Sequence, residues 1–205
     1  MHDDTEAIAH EAARLIAETG LDYASAKAKA ARALDLRRPT IPSDEAVEAA
    51  LREHIELFCA QTQPQELQAL RQLALAWMER LGAHQPHLSG AVWRGTATRH
   101  SPISIDLYAD DPKAVPIELL NRGVPHEVTT HDRGRRETTW LIVQDRIAAW
   151  SEPVAVQLAV RETDELRGAL KPDSQGRSWR GALPAVRAMV AAGARPAGLA
   201  SGAAA

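Results

Sequence analysis

The fold is decided by residues 89–111, SGAVWRGTATRHSPISIDLYADD. Apolar residues alternate with polar ones across residues 103–109, and this period of two predicts a half-buried strand. Ser104, Asp106 and Tyr108 then share one face of the strand, and the apolar residues occupy the other face. A carboxylate on a strand is a group that could carry chemistry.

A shorter apolar run precedes this strand. Residues 91–93 (AVW) lead into Gly95 and Thr96, where glycine permits a tight turn. We therefore predict a first strand that ends at this glycine and pairs with residues 103–109. The two strands would form a hairpin at the centre of the chain.

The residues before this hairpin have the period of helices. Apolar residues recur at helical spacing in four segments, which predicts four amphipathic helices over residues 1–86. Ser43 or Asp44 caps the third helix, and Pro64 lies in the first turn of the fourth. We expect the apolar stripes that include Phe58 and Trp77 to be buried. The boundary falls in residues 84–87 (HQPH), where both histidines are expected in an exposed turn.

The residues after the boundary predict a small sheet. Residues 124–130 and 138–143 predict a second hairpin, and the apolar run at residues 154–160 predicts a buried central strand. Short helices are predicted at residues 112–121 and 183–192, and a loop at residues 171–181. The chain is therefore predicted as α+β, with an N-terminal helical layer followed by a small mixed β-sheet with flanking helices over residues 87–193. Residues 194–205 are expected to be a disordered tail.

Charge is unevenly distributed along the chain. The net charge is −3, so bulk electrostatics do not predict a polyanion binder. Residues 1–88 hold 14 acidic against 9 basic residues, whereas residues 166–205 hold 6 basic residues against one acid. The basic stretch around Trp179 suits a phosphorylated ligand or nucleic acid, and equally a loop that covers the acidic helices. Nucleic acid is not the partner that we expect.

Composition also bears on location. The single cysteine, Cys59, excludes an internal disulfide, and the acidic N-terminus does not resemble a signal peptide. No apolar run is long enough to span a membrane, so we expect a cytoplasmic protein. Twenty arginines against four lysines, with abundant alanine, are explained more simply by a GC-rich genome than by phosphate recognition, and we expect a bacterial cell.

The sequence from Gly95–Thr96 to Ser104-Ile105-Asp106 resembles the nucleotidyltransferase superfamily related to DNA polymerase beta. In that family a strand leads to Gly-Ser, and the next strand carries Asp-x-Asp, whose carboxylates hold magnesium ions that bridge the phosphates of a nucleotide. The resemblance covers about residues 89–160. The layout is also similar to that of certain proteobacterial proteins.

The resemblance implies a nucleotidyltransferase-like sheet and specific roles. Asp106 would be the catalytic residue and the Mg²⁺ ligand. The nucleotide would contact Arg94, Gly95, Thr96, Arg99 and Ser104.

One departure from the family pattern changes the expected function. Ser104 stands where the family has its first carboxylate, and a hydroxyl is a weaker magnesium ligand. Candidates for a third carboxylate are Glu137, Asp145 and Glu152. We therefore predict a degenerate, non-catalytic nucleotide-binding or regulatory module.

Two alternatives stay open. One is an active magnesium-dependent nucleotidyltransferase. The other is a structural module that binds a protein partner through its helical half and has no small-molecule site. In that case Asp106 would lie on the solvent face of its strand.

Overall fold

The structure is a computed structural model that describes residues 2–36, 39–133, 136–166 and 178–193. The tail expected to be disordered, residues 194–205, lies outside the described residues, as does most of the loop predicted at residues 171–181. The α-helices of the described part are α1 (His2–Thr19), α2 (Tyr23–Ala33), α3 (Asp44–Phe58), α4 (Gln63–Arg80), α5 (Gly90–Arg94), α6 (Ala114–Asn121) and α7 (Leu183–Gly193).

The four N-terminal helices lie close to where the sequence predicts them. Asp22 and Ser43 cap α2 and α3, because their side chains accept hydrogen bonds from the backbone N–H groups of Ser25 and Ala46, at 3.0 and 3.2 Å. Pro64 lies in the first turn of α4, where its missing N–H costs no hydrogen bond. The predicted helical layer is confirmed.

The strands of the described part form one mixed sheet. They are β1 (His87–Ser89), β2 (Ile103–Ala109), β3 (Glu127–Arg133), β4 (Arg136–Asp145), β5 (Val154–Glu162) and β6 (Gly181–Ala182), in the order β3-β4-β5-β2-β1-β6. Strands β2 and β5 are parallel, and the other neighbours are antiparallel. The apolar run at residues 154–160 lies inside the sheet, between β4 and β2. The predicted α+β class and mixed sheet are confirmed.

The segment before β2 differs from the prediction. Residues 91–93 belong to α5 and are not a strand, and the strand that pairs with β2 is β1. Gly90, with φ of +66°, turns the chain out of β1 and into the helix. An apolar run of three residues is too short to reveal whether its period is that of a strand or a helix. The loop prediction is also wrong at Gly181, which begins β6 beside β1.

The expectation of an exposed turn at residues 84–87 is wrong as well. His84 and His87 are both buried. His84 Nε2 lies 2.6 Å from Glu118 Oε2, and His87 Nδ1 lies 2.8 Å from the carbonyl oxygen of Gln85. Because each ring has a polar partner, it can be buried without losing its hydrogen bonds.

The buried apolar residues form two clusters. The larger cluster packs one face of the sheet against α4, α6 and α7, and it contains Trp77. The smaller cluster lies among α1, α2 and α3. Helix α4 thus packs with the sheet, although it belongs to residues 1–86. The expectation that Phe58 is buried is wrong, because this side chain is 74% exposed at the end of α3.

Polar contacts join the two clusters. Glu48 of α3 is buried and accepts a hydrogen bond from Arg94 of α5 at 2.8 Å. The hydroxyl of Thr98 donates to the carbonyl oxygen of Ala17 at 2.7 Å. Helix α1 therefore contacts the segment between α5 and β2, which leads directly into the central strand, and α3 contacts α5.

Candidate functional site

The sheet face that is turned away from the larger apolar cluster carries polar residues. Partners in register share a face of a sheet, so His87 of β1 lies beside Asp106 of β2. In the same way Arg161 of β5 lies beside Tyr108 of β2. We call this surface the polar face, and it comprises His87, Ser104, Asp106, Tyr108, Gln157 and Arg161.

Asp106 lies in the middle of the polar face, and it is only 3% exposed. Its Oδ1 accepts a hydrogen bond from Nε–H of Arg161 at 2.7 Å, and its Oδ2 accepts one from Nε–H of Arg180 at 2.8 Å. Arg180 comes from the residues just before β6. Asp106 is therefore not on a solvent face, and both of its oxygens are bonded to guanidinium groups.

The guanidinium groups lie nearer the surface than the carboxylate does. The side chains of Arg161 and Arg180 are 21% and 22% exposed. Burial acts to lower the pKa of Arg161, but the hydrogen bond and charge of Asp106 outweigh burial, so the pKa of Arg161 is raised. Glu165, whose carboxylate lies 3.5 Å from Arg161, acts in the same direction. Arg161 thus stays positively charged.

Tyr108 adds a buried hydroxyl to this site. The residue is 1% exposed, and its hydroxyl has no hydrogen-bond partner within the described ranges. Its ring meets the ring of His87 edge to face, with 5.4 Å between centroids. Burial raises the pKa of Tyr108, and the charge of Asp106 raises it further. A buried hydroxyl without a partner is a group that a ligand or a water molecule would satisfy.

Of the residues predicted to contact a nucleotide, Ser104 lies on the polar face beside Asp106. Gly95 and Thr96 lie elsewhere: the carbonyl oxygen of Gly95 accepts a hydrogen bond from Gln63 of α4 at 3.1 Å, and Thr96 is buried. The glycine next to Ser104 is Gly90, where an added Cβ would lie 3.3 Å from the Ser104 hydroxyl oxygen.

The two arginines that were predicted to contact phosphate have other partners. Arg94 is paired with Glu48, and its guanidinium lies 5.4 Å from the ring centroid of Trp179. Arg99 is exposed, with its guanidinium 5.9 Å from the ring centroid of Trp150. Neither arginine makes a hydrogen bond or ion pair with a residue of the polar face in the part of the chain that the structure describes.

The candidates for a third carboxylate do not converge on Asp106. Asp145 lies on the opposite face of the sheet, where it accepts a hydrogen bond from the indole of Trp77 at 2.7 Å. Glu152 is exposed and lines a pocket with Arg99 and Gln157, and Asp106 is not among the residues that line this pocket. The side chain of Glu137 lies outside the described part of the structure.

Sequence reasoning missed the residues that surround Asp106. His87, Arg161 and Arg180 were not proposed, because they belong to three segments that are distant along the chain. Arg161 directly follows the apolar run of β5. A basic residue at the end of a predicted central strand is the signal that could have identified it as a candidate site residue. Arg180 lies in the basic stretch around Trp179, for which a phosphorylated ligand was one of the interpretations.

The residues present do not fit a magnesium site at Asp106. Magnesium takes several oxygen ligands, whereas Asp106 is one carboxylate and lies between two positive charges. Within the described ranges, no three histidine, cysteine, aspartate or glutamate side chains form a group that could hold a metal ion. The arrangement of two arginines held by a carboxylate suits recognition of an anion, because guanidinium groups bind phosphate oxygens in pairs.

No helix of the described part is both long and apolar enough to cross a membrane.

Comparisons with known proteins do not assign the chain to a family. No protein-family model matches the chain. A search of curated proteins found no match either.

Proposed function

We propose that the protein is a non-catalytic nucleotide-binding module with a nucleotidyltransferase-like sheet, and that the phosphates of the nucleotide lie on the polar face. The observation that carries the proposal is the pair of guanidinium groups, from Arg161 and Arg180, that the buried carboxylate of Asp106 holds in place. Two arginines that reach the surface from one buried anchor form a preorganised site for an anion.

The same observation favours binding over catalysis. Transfer of a nucleotidyl group by two metal ions needs carboxylates that bridge both ions. Here the neighbours of Asp106 on the polar face are Ser104 and Tyr108 along β2 and His87 and Ala159 across it, and none of them is an acid. We therefore do not propose magnesium-dependent transfer.

A thermal melt tests the proposed function. A ligand that binds only the native state raises the melting temperature by mass action. We expect ATP or GTP at millimolar concentration to raise the melting temperature of the chain, and adenosine to raise it less because adenosine has no phosphate. If none of ATP, GTP, CTP and UTP raises the melting temperature, the proposed nucleotide binding is wrong, and the likeness to nucleotidyltransferases concerns the fold alone.

A second candidate function is binding of a protein partner through the helical half. Leu57 and Phe58 are 66% and 74% exposed at the end of α3, beside a groove between α1 and α3. Apolar side chains that are exposed together mark interaction surfaces. If this surface pairs copies of the chain, sedimentation will show concentration-dependent association of the wild type, and Phe58→Ser will abolish it.

A further inference from the structure

We infer that Arg161 and Arg180 take the place of a divalent cation at Asp106, so that a phosphorylated ligand binds the polar face without magnesium. The inference rests on the proposed function, because it concerns the same site. The resemblance to nucleotidyltransferases implies that Asp106 binds a metal ion, and the inference is the opposite.

The geometry around Asp106 leaves a cation no favourable position. A metal ion would have to displace a guanidinium group from 2.7 or 2.8 Å, and it would then lie beside the remaining positive charge. The carboxylate is also closed to solvent, since its side chain is 4% exposed. The charges that lie nearer the surface are those of Arg161 and Arg180, together with that of Glu165, whose side chain is 25% exposed.

A phosphate would bind these cations in competition with a carboxylate. Glu165 lies 3.5 Å from Arg161 and offsets part of its charge. A phosphate group that pairs with Arg161 would therefore weaken this contact. Because Glu165 competes for Arg161, removing the charge of Glu165 is expected to tighten the binding of an anion to Arg161.

Tyr108 supports a ligand at the same position. Its hydroxyl is buried without a hydrogen-bond partner in the described part of the chain, and Tyr108 lies in register with Arg161. A phosphate oxygen or a water molecule bound to it would satisfy this hydroxyl. The arginines and the hydroxyl together supply the donors that an anion requires, and none of them needs a metal ion.

Calorimetric titration with ATP, in EDTA and in excess Mg²⁺, tests the inference on the full-length chain. We expect binding in EDTA that is at least as tight as binding in Mg²⁺, since Mg²⁺ neutralises the phosphates that the arginines attract. Inorganic pyrophosphate should also bind in EDTA, whereas adenosine should not. Binding of ATP in Mg²⁺ alone would overturn the inference and leave the proposed function standing. No binding in either buffer would instead refute the proposed function.

Charge variants separate the two roles of Asp106 by whether ATP binding survives. A metal ligand is lost in Asp106→Asn, so ATP binding would disappear. If the arginines bind the phosphates, Asp106→Asn retains ATP binding in EDTA, because both guanidinium groups remain and the amide oxygen can still accept a hydrogen bond from one of them. Asp110→Asn, at an exposed position directly after the same strand, makes the same change in net charge and should leave binding within about twofold of the wild type.

Two further variants keep the test decisive if Asp106→Asn melts below the assay temperature. Glu165→Gln should tighten ATP binding in EDTA, by up to about fivefold for one partly exposed charge. Arg161→Lys keeps the positive charge but loses the planar pair of donors, and should weaken binding about tenfold. Wild-type affinity for ATP in both variants would show that the ion pairs around Asp106 only stabilise the fold, and would overturn the inference.

Discussion

At the scale of single residues, the central contact of the polar face is the pairing of the buried carboxylate of Asp106 with Arg161 and Arg180. Removing one partner of a buried ion pair leaves an unpaired charge, which costs about 3–5 kcal/mol. We expect Asp106→Ala to lower the free energy of unfolding by about this amount, measured by urea denaturation near neutral pH. Asp110→Ala, at an exposed position, should cost less than about 0.5 kcal/mol. Similar small losses in both variants would contradict the buried cluster.

Tyr108 makes a prediction about alkaline pH. Its folded-state pKa is raised by burial and by Asp106, so the native state holds the phenol proton more tightly than the unfolded chain does. The stability that this proton provides is complete below the unfolded pKa of about 10, and it is lost as pH rises through the higher folded pKa.

Tyr108→Phe tests this linkage. Since the hydroxyl has no partner among the described residues, the substitution should change the free energy of unfolding at neutral pH by less than about 0.5 kcal/mol. Above pH ~10, the variant should lose less stability than the wild type. Parallel stability curves for the two proteins at alkaline pH would show that Tyr108 ionises as easily in the native state as in the unfolded chain.

The sequence could predict the position of Asp106 but not its environment. The alternation of β2 places Ser104, Asp106 and Tyr108 on one face, and the structure agrees. The partners of Asp106 lie 55 and 74 residues away, in β5 and before β6. Local periodicity carries no information about contacts at such separations, so a buried aspartate could not be distinguished from an exposed one.

At the scale of secondary-structure elements, β6 packs tightly against α5. A Cβ added at Gly181 would lie 2.0 Å from Cζ3 of the Trp93 ring, so the ring or the strand must move. We expect Gly181→Ala to cost about 1–3 kcal/mol in a chemical denaturation experiment, as overpacking does. Because Gly181 follows Arg180, the substitution should also weaken ATP binding.

Gly82→Ala is the matched control for this substitution. An added Cβ there would meet no atom within 4 Å. Alanine at such a position should leave stability unchanged or raise it by up to about 1 kcal/mol. Equal stability of Gly181→Ala and Gly82→Ala would show that β6 does not pack tightly against α5.

The elements that the sequence predicted correctly are long enough to show several repeats of the apolar pattern, or they carry strong local signals such as a helix cap. Helices α1 to α4 have several turns of apolar periodicity, and Ser43 caps α3 as expected. The segments that were wrong are short. Residues 91–93 are helical, and Gly181–Ala182 form a strand of two residues, too short for any period to be visible.

At the scale of the whole molecule, the close approach of α1 to the segment before β2 is the contact to test. A Cβ added at Gly20 would lie 2.0 Å from the carbonyl oxygen of His100. Gly20 also has a φ of +69°, which by itself makes alanine unfavourable by about 1–2 kcal/mol. We expect Gly20→Ala to cost this strain and, in addition, about 1–3 kcal/mol for the steric conflict.

Gly123→Ala separates the two contributions. Gly123 has a φ of +66°, but an added Cβ there would meet no atom within 4 Å. Its loss of stability in urea should therefore reflect backbone strain alone and be smaller than that of Gly20→Ala. Equal losses would mean that α1 does not dock against the segment at residues 98–101.

From the uneven charge, a basic C-terminal loop that covers the acidic helices was one of the two interpretations. Glu79 of α4 does contact Arg187 of α7 at 2.9 Å, but both side chains are about half exposed, and such pairs contribute little stability. What the sequence could not show is that α4 joins the apolar cluster of the sheet while α1 to α3 form their own. Apolar stripes reveal that a helix is buried on one side, but not which element covers it.

The most direct measurement of the site is an NMR titration of the arginine side chains. Hydrogen bonds to Asp106 should slow exchange of the Nε–H protons of Arg161 and Arg180 with solvent, so their signals should be visible and assignable with Arg161→Lys and Arg180→Lys. We predict that ATP in EDTA shifts both signals and that adenosine does not. Signals that stay in place while ATP binds, or that move only when Mg²⁺ is present, would contradict metal-free recognition of phosphate on the polar face.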